Sequence, residues 1–374
     1  MLPLTYVLRN LRRRRLRTGL TIAGIALVVA VYFLMSSVAE TMVRSFRSTG
    51  APEELVIVQA GAMLVDYSNI DRSSLTYVQT LDGVASEDGQ PLVAPELALP
   101  SIILVDGSEQ KAGVRGVTAM APAVYRQVDL TAGDWPGPGH RAAIGHSLAA
   151  KLGVELGDIL EIEGDRFRIA GLLDAGGRVY DQEVWVDLEE LAAAANRKTY
   201  SSYTLRAENA GVVPDIIETI SENRRFPLSA QDAPRFYRRT AGMASFMASL
   251  GKMIAMIVAI GAVFGGMNTM YAAVAARRRE IAVLRALGYR KASILGAFLV
   301  ESLLISLAAG VLGVLLGMVI ALSPIELPYS ASGMVSLGSS QAISALLLAA
   351  IIGLVGGGLP AIQAARTAVV QELR

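Results

Sequence analysis

Arg277-Arg278-Arg279-Glu280-Ile281-Ala282-Val283-Leu284-Arg285-Ala286-Leu287-Gly288-Tyr289-Arg290-Lys291 is the stretch whose reading decides the fold. It is short and basic, and it lies between two runs, 253–276 and 293–322, whose sole charge is Glu301. Each run exceeds the roughly 20 apolar residues needed to cross a bilayer. A charged segment held between two spans must sit at a membrane face, and its Lys/Arg excess places it on the cytoplasmic side. Within it Ile281, Leu284 and Leu287 recur every three to four residues, giving one apolar helical face. Gly288 supplies a natural helix stop. A loop made basic only by the positive-inside bias would explain the arginines but not the ordered amphipathic turn.

Working outward, the chain divides by charge. Residues 1–17 carry Arg9, Arg12, Arg13, Arg14, Arg15 and Arg17 and read as a cytoplasmic basic N-terminal helix. Residues 18–39 contain no charged side chain until the segment ends and form transmembrane helix 1; the run is too long for a cleaved leader. Residues 40–240, where charges, prolines and glycines return, form an extracytoplasmic domain. Residues 241–276 make a stalk and transmembrane helix 2, and 277–291 the cytoplasmic segment. Residues 292–322 are transmembrane helix 3, 323–340 an external loop without Lys or Arg, 341–360 transmembrane helix 4, and 361–374 a cytoplasmic tail. The arginine-rich inner segments put both termini in the cytoplasm. The fold class is an α+β membrane protein: four transmembrane helices with a large α+β domain between helices 1 and 2.

Inside the outer domain, within 159–173, the alternation of Leu160-Glu161-Ile162 and Phe167-Arg168-Ile169 around Glu163-Gly164-Asp165 reads as a hairpin. Helices are expected at 146–152, ended by Gly153, at 188–196 and at 213–224. Short strands are expected at 55–59, 102–105, 114–117 and 184–186. Gly261 with Gly265, and Gly313 with Gly317, have the spacing that lets membrane helices approach closely.

The composition excludes several chemistries. A chain of 374 residues that is 53% hydrophobic is too apolar for an ordinary soluble protein, and a net charge of +1 gives no case for nucleic acid. There are no cysteines, hence no disulfides or thiolate metal sites. No P-loop is present: Ser249-Leu250-Gly251-Lys252 lacks the upstream glycine and the following hydroxyl. His140 and His146 have no carboxylates spaced to complete a metal site. No catalytic residues, cofactor or metal are expected in this chain. Glu301 is the one acid inside a span, roughly 15 Å along a helix from Lys291. Three roles are open to it: a packing partner within the bundle, a conformational or transport role, or a proton relay.

Residues 277–288 closely resemble the coupling segment of MacB/FtsX-type permeases of ABC transporters. The resemblance extends to Gly266-Met267-Asn268-Thr269-Met270, to Glu301, to Pro360-Ala361-Ile362-Gln363-Ala364-Ala365-Arg366, and to 143–173 in the outer domain. It is similar to the stand-alone permeases, including lipoprotein-release and DevC-like ones, and differs from MacB itself in having no fused ATPase domain. The resemblance implies a bacterial inner-membrane location and a non-catalytic subunit that works by mechanotransmission. It implies partnership with two copies of a cytoplasmic ABC ATPase, which holds ATP and Mg, and with a second permease copy or paralogue. A periplasmic adaptor protein and membrane lipid are further expected partners, and nucleic acid is not. It would export or release a lipoprotein, lipid, peptide or hydrophobic compound. The alternative is an FtsX-like regulator that activates a cell-wall hydrolase outside. Under the resemblance Arg278, Glu280, Ile281, Leu284, Arg285, Leu287 and Gly288 contact the ATPase, with Ile281, Leu284 and Leu287 supplying the apolar surface.

Overall fold

The computed structural model describes residues 15–322 and 338–366. The expected basic N-terminal helix, most of the external loop and the end of the tail lie outside the described residues. Ten helices are described: α1 (Arg15–Arg47), α2 (Leu75–Gln79), α3 (Ala121–Val124), α4 (His146–Leu152), α5 (Leu188–Ala194), α6 (Val213–Glu222), α7 (Ala233–Ala275), α8 (Arg278–Ala286), α9 (Lys291–Leu322) and α10 (Ser339–Arg366). Four of them, α1, α7, α9 and α10, are long and apolar enough to cross a membrane. Two compact units share the chain, and the division falls within α1 at Ala39/Glu40 and within α7 at Ser245/Phe246.

The outer unit is built on one mixed sheet. Its strands are β1 (Glu54–Gln59), β4 (Val93–Val105), β5 (Ser108–Val117), β6 (Asp129–Gly133), β7 (Arg141–Gly145), β8 (Ile159–Ile162), β9 (Asp165–Asp174), β10 (Glu183–Asp187), β11 (Ser202–Arg206) and β12 (Leu228–Asp232); β2 (Ser86–Glu87) and β3 (Gln90–Pro91) form a separate pair. The path is β12-β1-β11-β4-β5-β10-β7-β9-β6, with β8 joining β4 and β9. Only β10 on β5 and β7 on β9 run parallel. The expected short strand at 102–105 is the end of the long β4, which pairs β11 over its first half and β5 over its second. The expected hairpin is β8–β9, Ile162 facing Asp165 across a two-residue turn. Glu163 (φ 52°) and Gly164 (φ 89°) are both left-handed, as a type I′ turn requires.

Period-two alternation splits the core into two layers. Leu55, Ile57, Ala142, Ile144, Val184 and Val186 face one side, under α4, α5 and α6. Val56, Val58, Ala143 and Trp185 face the other, where Phe236 and Tyr237 at the start of α7 cover them.

That second layer encloses a charged network. Arg115, 6% exposed, reaches Glu96 at 2.6 Å and holds Glu183 with two bonds of 2.7 Å. Tyr125 donates to Glu96, Ser202 donates to Glu96 at 3.1 Å, and Trp185 Nε1 donates to Glu183 at 3.0 Å. Tyr180 and Tyr237 share a hydroxyl bond of 2.9 Å beside it. Burial opposes the Arg115 charge, but Glu183 and Glu96 overcome it and hold its pKa well above the usual value. Burial likewise raises the phenols of Tyr125, Tyr180 and Tyr237, and on the other side of the sheet pushes Tyr203 up to about 12 from 10.0.

These shifts set an alkaline limit. A phenol whose folded pKa is raised contributes stability that is complete below its unfolded value and is lost as pH rises through the folded one. For Tyr203 that window runs from 10.0 to about 12. Circular dichroism of the full chain is expected to show unfolding beginning above pH 10, less steep in Tyr203→Phe. Equal alkaline sensitivity in the variant would contradict the burial of that phenol.

The spanning unit packs around Val29 and Phe33 of α1, Ala309 and Val314 of α9, and Ala349 and Ile352 of α10. The two glycine pairs behave differently. A Cβ on Gly313 would lie 2.5 Å from the Ala26 carbonyl oxygen and 2.8 Å from Val29 Cβ, and one on Gly317 would lie 2.7 Å from Phe33. Gly313 and Gly317 therefore seat α9 on α1. A Cβ on Gly261 or Gly265 would meet nothing within 4 Å, so among the described residues no neighbouring helix closes on that pair. Their helix, α7, is the least covered of the four spans, with Ile254, Ile257, Ile260 and Phe264 exposed. Gly313→Leu is expected to cost about 1–3 kcal/mol by overpacking. Gly261→Leu should have a much smaller effect. Thermal unfolding of the detergent-purified chain measures both, and equal midpoints would contradict the asymmetry.

Candidate functional site

Only Ala276 and Arg277 separate α7 from α8, so the basic helix turns straight out of one span and leads within a few residues into the next. Its far end is closed by a paired cap. The Gly288 N–H donates to the Arg285 carbonyl and the Tyr289 N–H to the Leu284 carbonyl, both at 3.1 Å. This double bond pattern satisfies two of the last carbonyls and needs a left-handed residue at its centre. Gly288 has φ +90°, which a side-chain-bearing residue adopts only under strain.

Residues four apart share a helix stripe. One stripe, 277, 281 and 285, turns inward. Arg277 donates to both carboxylate oxygens of Glu301, at 2.9 and 3.0 Å, and its guanidinium lies 5.8 Å from the Phe298 ring centroid. Ile281, 2% exposed, sits among Met270, Val274, Ile294, Phe298, Ala361 and Ala364. Arg285 Nη1 donates to the Ala365 carbonyl at 3.0 Å. The opposite stripe, Arg279, Val283 and Leu287, is exposed, with Val283 at 47% and Leu287 at 71%. Arg278, Glu280 and Tyr289 flank it and are exposed as well.

This geometry corrects the expected contact surface. Ile281 cannot face a partner, because it is buried among residues of α7, α9 and α10. Leu284 is half-buried, and Arg285 is turned toward α10. Of the three expected apolar contacts only Leu287 is fully presented, and Val283 joins it. Repetition at three to four residues identified an apolar face but did not say that the bundle itself would use it. A second apolar row at Val283 and Leu287, i to i+4, was the signal for the outer face.

Within the bundle Glu301 pairs with Arg277. Sequence reasoning placed both residues but did not join them across the intervening α8. It also missed Arg115, Glu96 and Glu183, since charged residues in strands ordinarily point outward. His140 stacks its ring edge-on against Phe167 at 5.1 Å. Among the described residues no group of three or more His, Cys, Asp or Glu is placed to hold a metal ion.

Residues 18–222 match the family described as MacB-like periplasmic core domain. The chain belongs to the MacB/FtsX family of ABC transporter permeases. Residues 252–369, which include all of α8, match the FtsX-like permease C-terminal family. Among relatives, the macrolide export ATP-binding/permease protein MacB of Bdellovibrio bacteriovorus is 30% identical over 62% of this chain and 38% of its own length. The uncharacterized ABC transporter permease YknZ of Bacillus subtilis is 27% identical over 59% of this chain and 57% of its own. The chain thus spans less than two thirds of either relative. The crystal structure of the periplasmic region of MacB from Actinobacillus actinomycetemcomitans aligns with 53% of this chain and 97% of that one, at 12% identity and a TM-score of 0.41. With four spanning helices, this MacB/FtsX-type chain is a multi-pass membrane protein.

Proposed function

We propose that this chain is the non-catalytic membrane subunit through which a separate ABC ATPase drives export or release of a substrate at the outer side of the inner membrane. The observation that supports this best is α8: a capped basic helix whose inner stripe is built into three spans and whose outer stripe offers Val283 and Leu287 within a rim of arginines. A groove on a soluble motor would take the two apolar side chains, and acidic residues around the groove would meet the arginines. ATP and Mg belong to that motor. Two motor copies and two permease copies would act together, with both termini of this chain on the motor's side. Because α1 and α7 each continue from a span into the sequence of the outer unit, movement of their inner ends would be carried outward along them. The substrate is of the lipoprotein, lipid, peptide or hydrophobic-compound class.

The test is affinity purification of the tagged full chain from its native membranes. An ABC ATPase is expected to co-purify, and its hydrolysis to rise when the permease is present. Absence of any ATPase would contradict the proposal. A cell-wall hydrolase bound to the outer unit, with no export defect on deletion, would replace transport by regulation.

A further inference from the structure

The inner stripe of α8 has a role of its own. We infer that the Arg277–Glu301 ion pair is a positioning device: it fixes the angle at which α8 leaves the spanning bundle, so that force applied to the outer stripe moves α9 rather than bending the turn at Ala276 and Arg277. This rests on the proposed docking of an ATPase on α8.

Three observations carry the inference. The pair is two-pronged, with side chains only 12% and 6% exposed. A bidentate guanidinium–carboxylate contact fixes direction as well as distance, which a lysine or a single bond would not. Its position is the second: Arg277 occupies the residue just before α8, and its side chain makes no cap bond to the helix but reaches α9 instead. The orientation of the start of α8 is therefore tied to a neighbouring span. Third, the contacts form a line. Arg277 ties the start of α8 to α9, Ile281 fills the space between α7, α9 and α10, and Arg285 ties the end of α8 to α10. With the first tie cut, the helix would keep its middle and far contacts and swing about them.

A buried carboxylate that loses its arginine is costly to keep charged. Neutralising the acid instead, as in Glu301→Gln, breaks the two-pronged contact, leaving at most one acceptor for Arg277 and no unpaired carboxylate charge, and is the cleaner test. The chain has no cysteines, so introduced ones are unique label sites. Spin labels at Leu287→Cys and Leu359→Cys, both exposed positions, report the angle of α8 against α10 in the full-length chain without any motor.

The expected result is a narrow distance distribution in the otherwise wild-type chain, clearly broadened by Glu301→Gln and by Arg277→Gln. In unlabelled chains the same two variants should still bind the ATPase yet lose at least tenfold of its permease-dependent stimulation. The exchange Arg277→Glu with Glu301→Arg should recover part of both. An unchanged distance distribution in Glu301→Gln would overturn the inference, as would broadening with undiminished stimulation. If no ATPase binds even the unaltered chain, the proposed function fails, while the label distances still decide whether the pair fixes the helix.

Discussion

Leu287→Asp is expected to reduce permease-dependent ATPase stimulation by at least tenfold while leaving the protein in the membrane at normal levels. Leu287 is 71% exposed on the outer stripe of α8, so a carboxylate there costs the fold almost nothing. In an apolar docking groove the same carboxylate would be desolvated without a partner, a cost of several kcal/mol. Gly288→Pro should produce the same loss by another route. Proline fixes φ near −65°, whereas Gly288 has φ +90°, and proline also removes the N–H that bonds Arg285. The cap would be lost and Leu287 re-aimed. Ile281→Asp is the contrasting case: it buries a charge among Met270, Phe298 and Ala361, and should lower the amount of folded protein before any question of coupling arises. Normal stimulation in both Leu287→Asp and Gly288→Pro would remove α8 from the coupling path.

The second large effect lies in the outer unit. Arg115→Ala leaves Glu96 and Glu183 buried in the core with Tyr125 and Ser202 as donors to the first and Trp185 to the second. Breaking a buried pair from one side typically costs about 3–5 kcal/mol, because a charge is left without its partner. Against the roughly 5–15 kcal/mol of an ordinary domain this takes a large share of the margin and makes opening of the outer unit far more frequent. Replacing all three charged residues by apolar ones of similar size, as in Arg115→Met with Glu96→Leu and Glu183→Leu, should recover much of the loss. Proteolysis of the full chain in membranes would show it: the outer unit of Arg115→Ala is cut rapidly, and that of the triple variant more slowly. Equal resistance of Arg115→Ala and wild type would mean that the network does not stabilise the sheet.

Much of this architecture was legible in the residues because it follows from local rules. Uncharged runs longer than a bilayer marked the spans. Alternation and a Glu-Gly turn marked the β8–β9 hairpin, and the pattern over 146–153 marked α4. What was not legible depends on which neighbour claims a face. In α8 the inward row Arg277, Ile281, Arg285 carries one apolar residue between two arginines, and the outward row Arg279, Val283, Leu287 carries two apolar residues after one arginine. Both rows mix apolar and basic residues, and the arrangement of α7, α9 and α10 decides which one is buried. The pairing of Arg277 with Glu301 likewise requires α9 to fold back beside the turn. The Arg115 network joins the neighbouring strands β4 and β5 to Glu183 on β10, 68 residues further along the chain, so no short window of sequence contains it. The split between Gly313 and Gly261 has the same origin: identical spacing, but one pair faces α1 and the other faces open space among the described residues.

The central claim, that the outer stripe of α8 is where a cytoplasmic motor grips this permease, is tested most directly by cross-linking. A single cysteine at Leu287, in a chain that otherwise has none, would be joined by a short thiol–amine reagent to whatever protein lies against it in native membranes. The account predicts one dominant product, a conjugate with the ABC ATPase, and none with that ATPase from a cysteine at Ile159 in the outer unit. A cysteine at Leu287 that is accessible to the reagent yet yields no ATPase conjugate would contradict it.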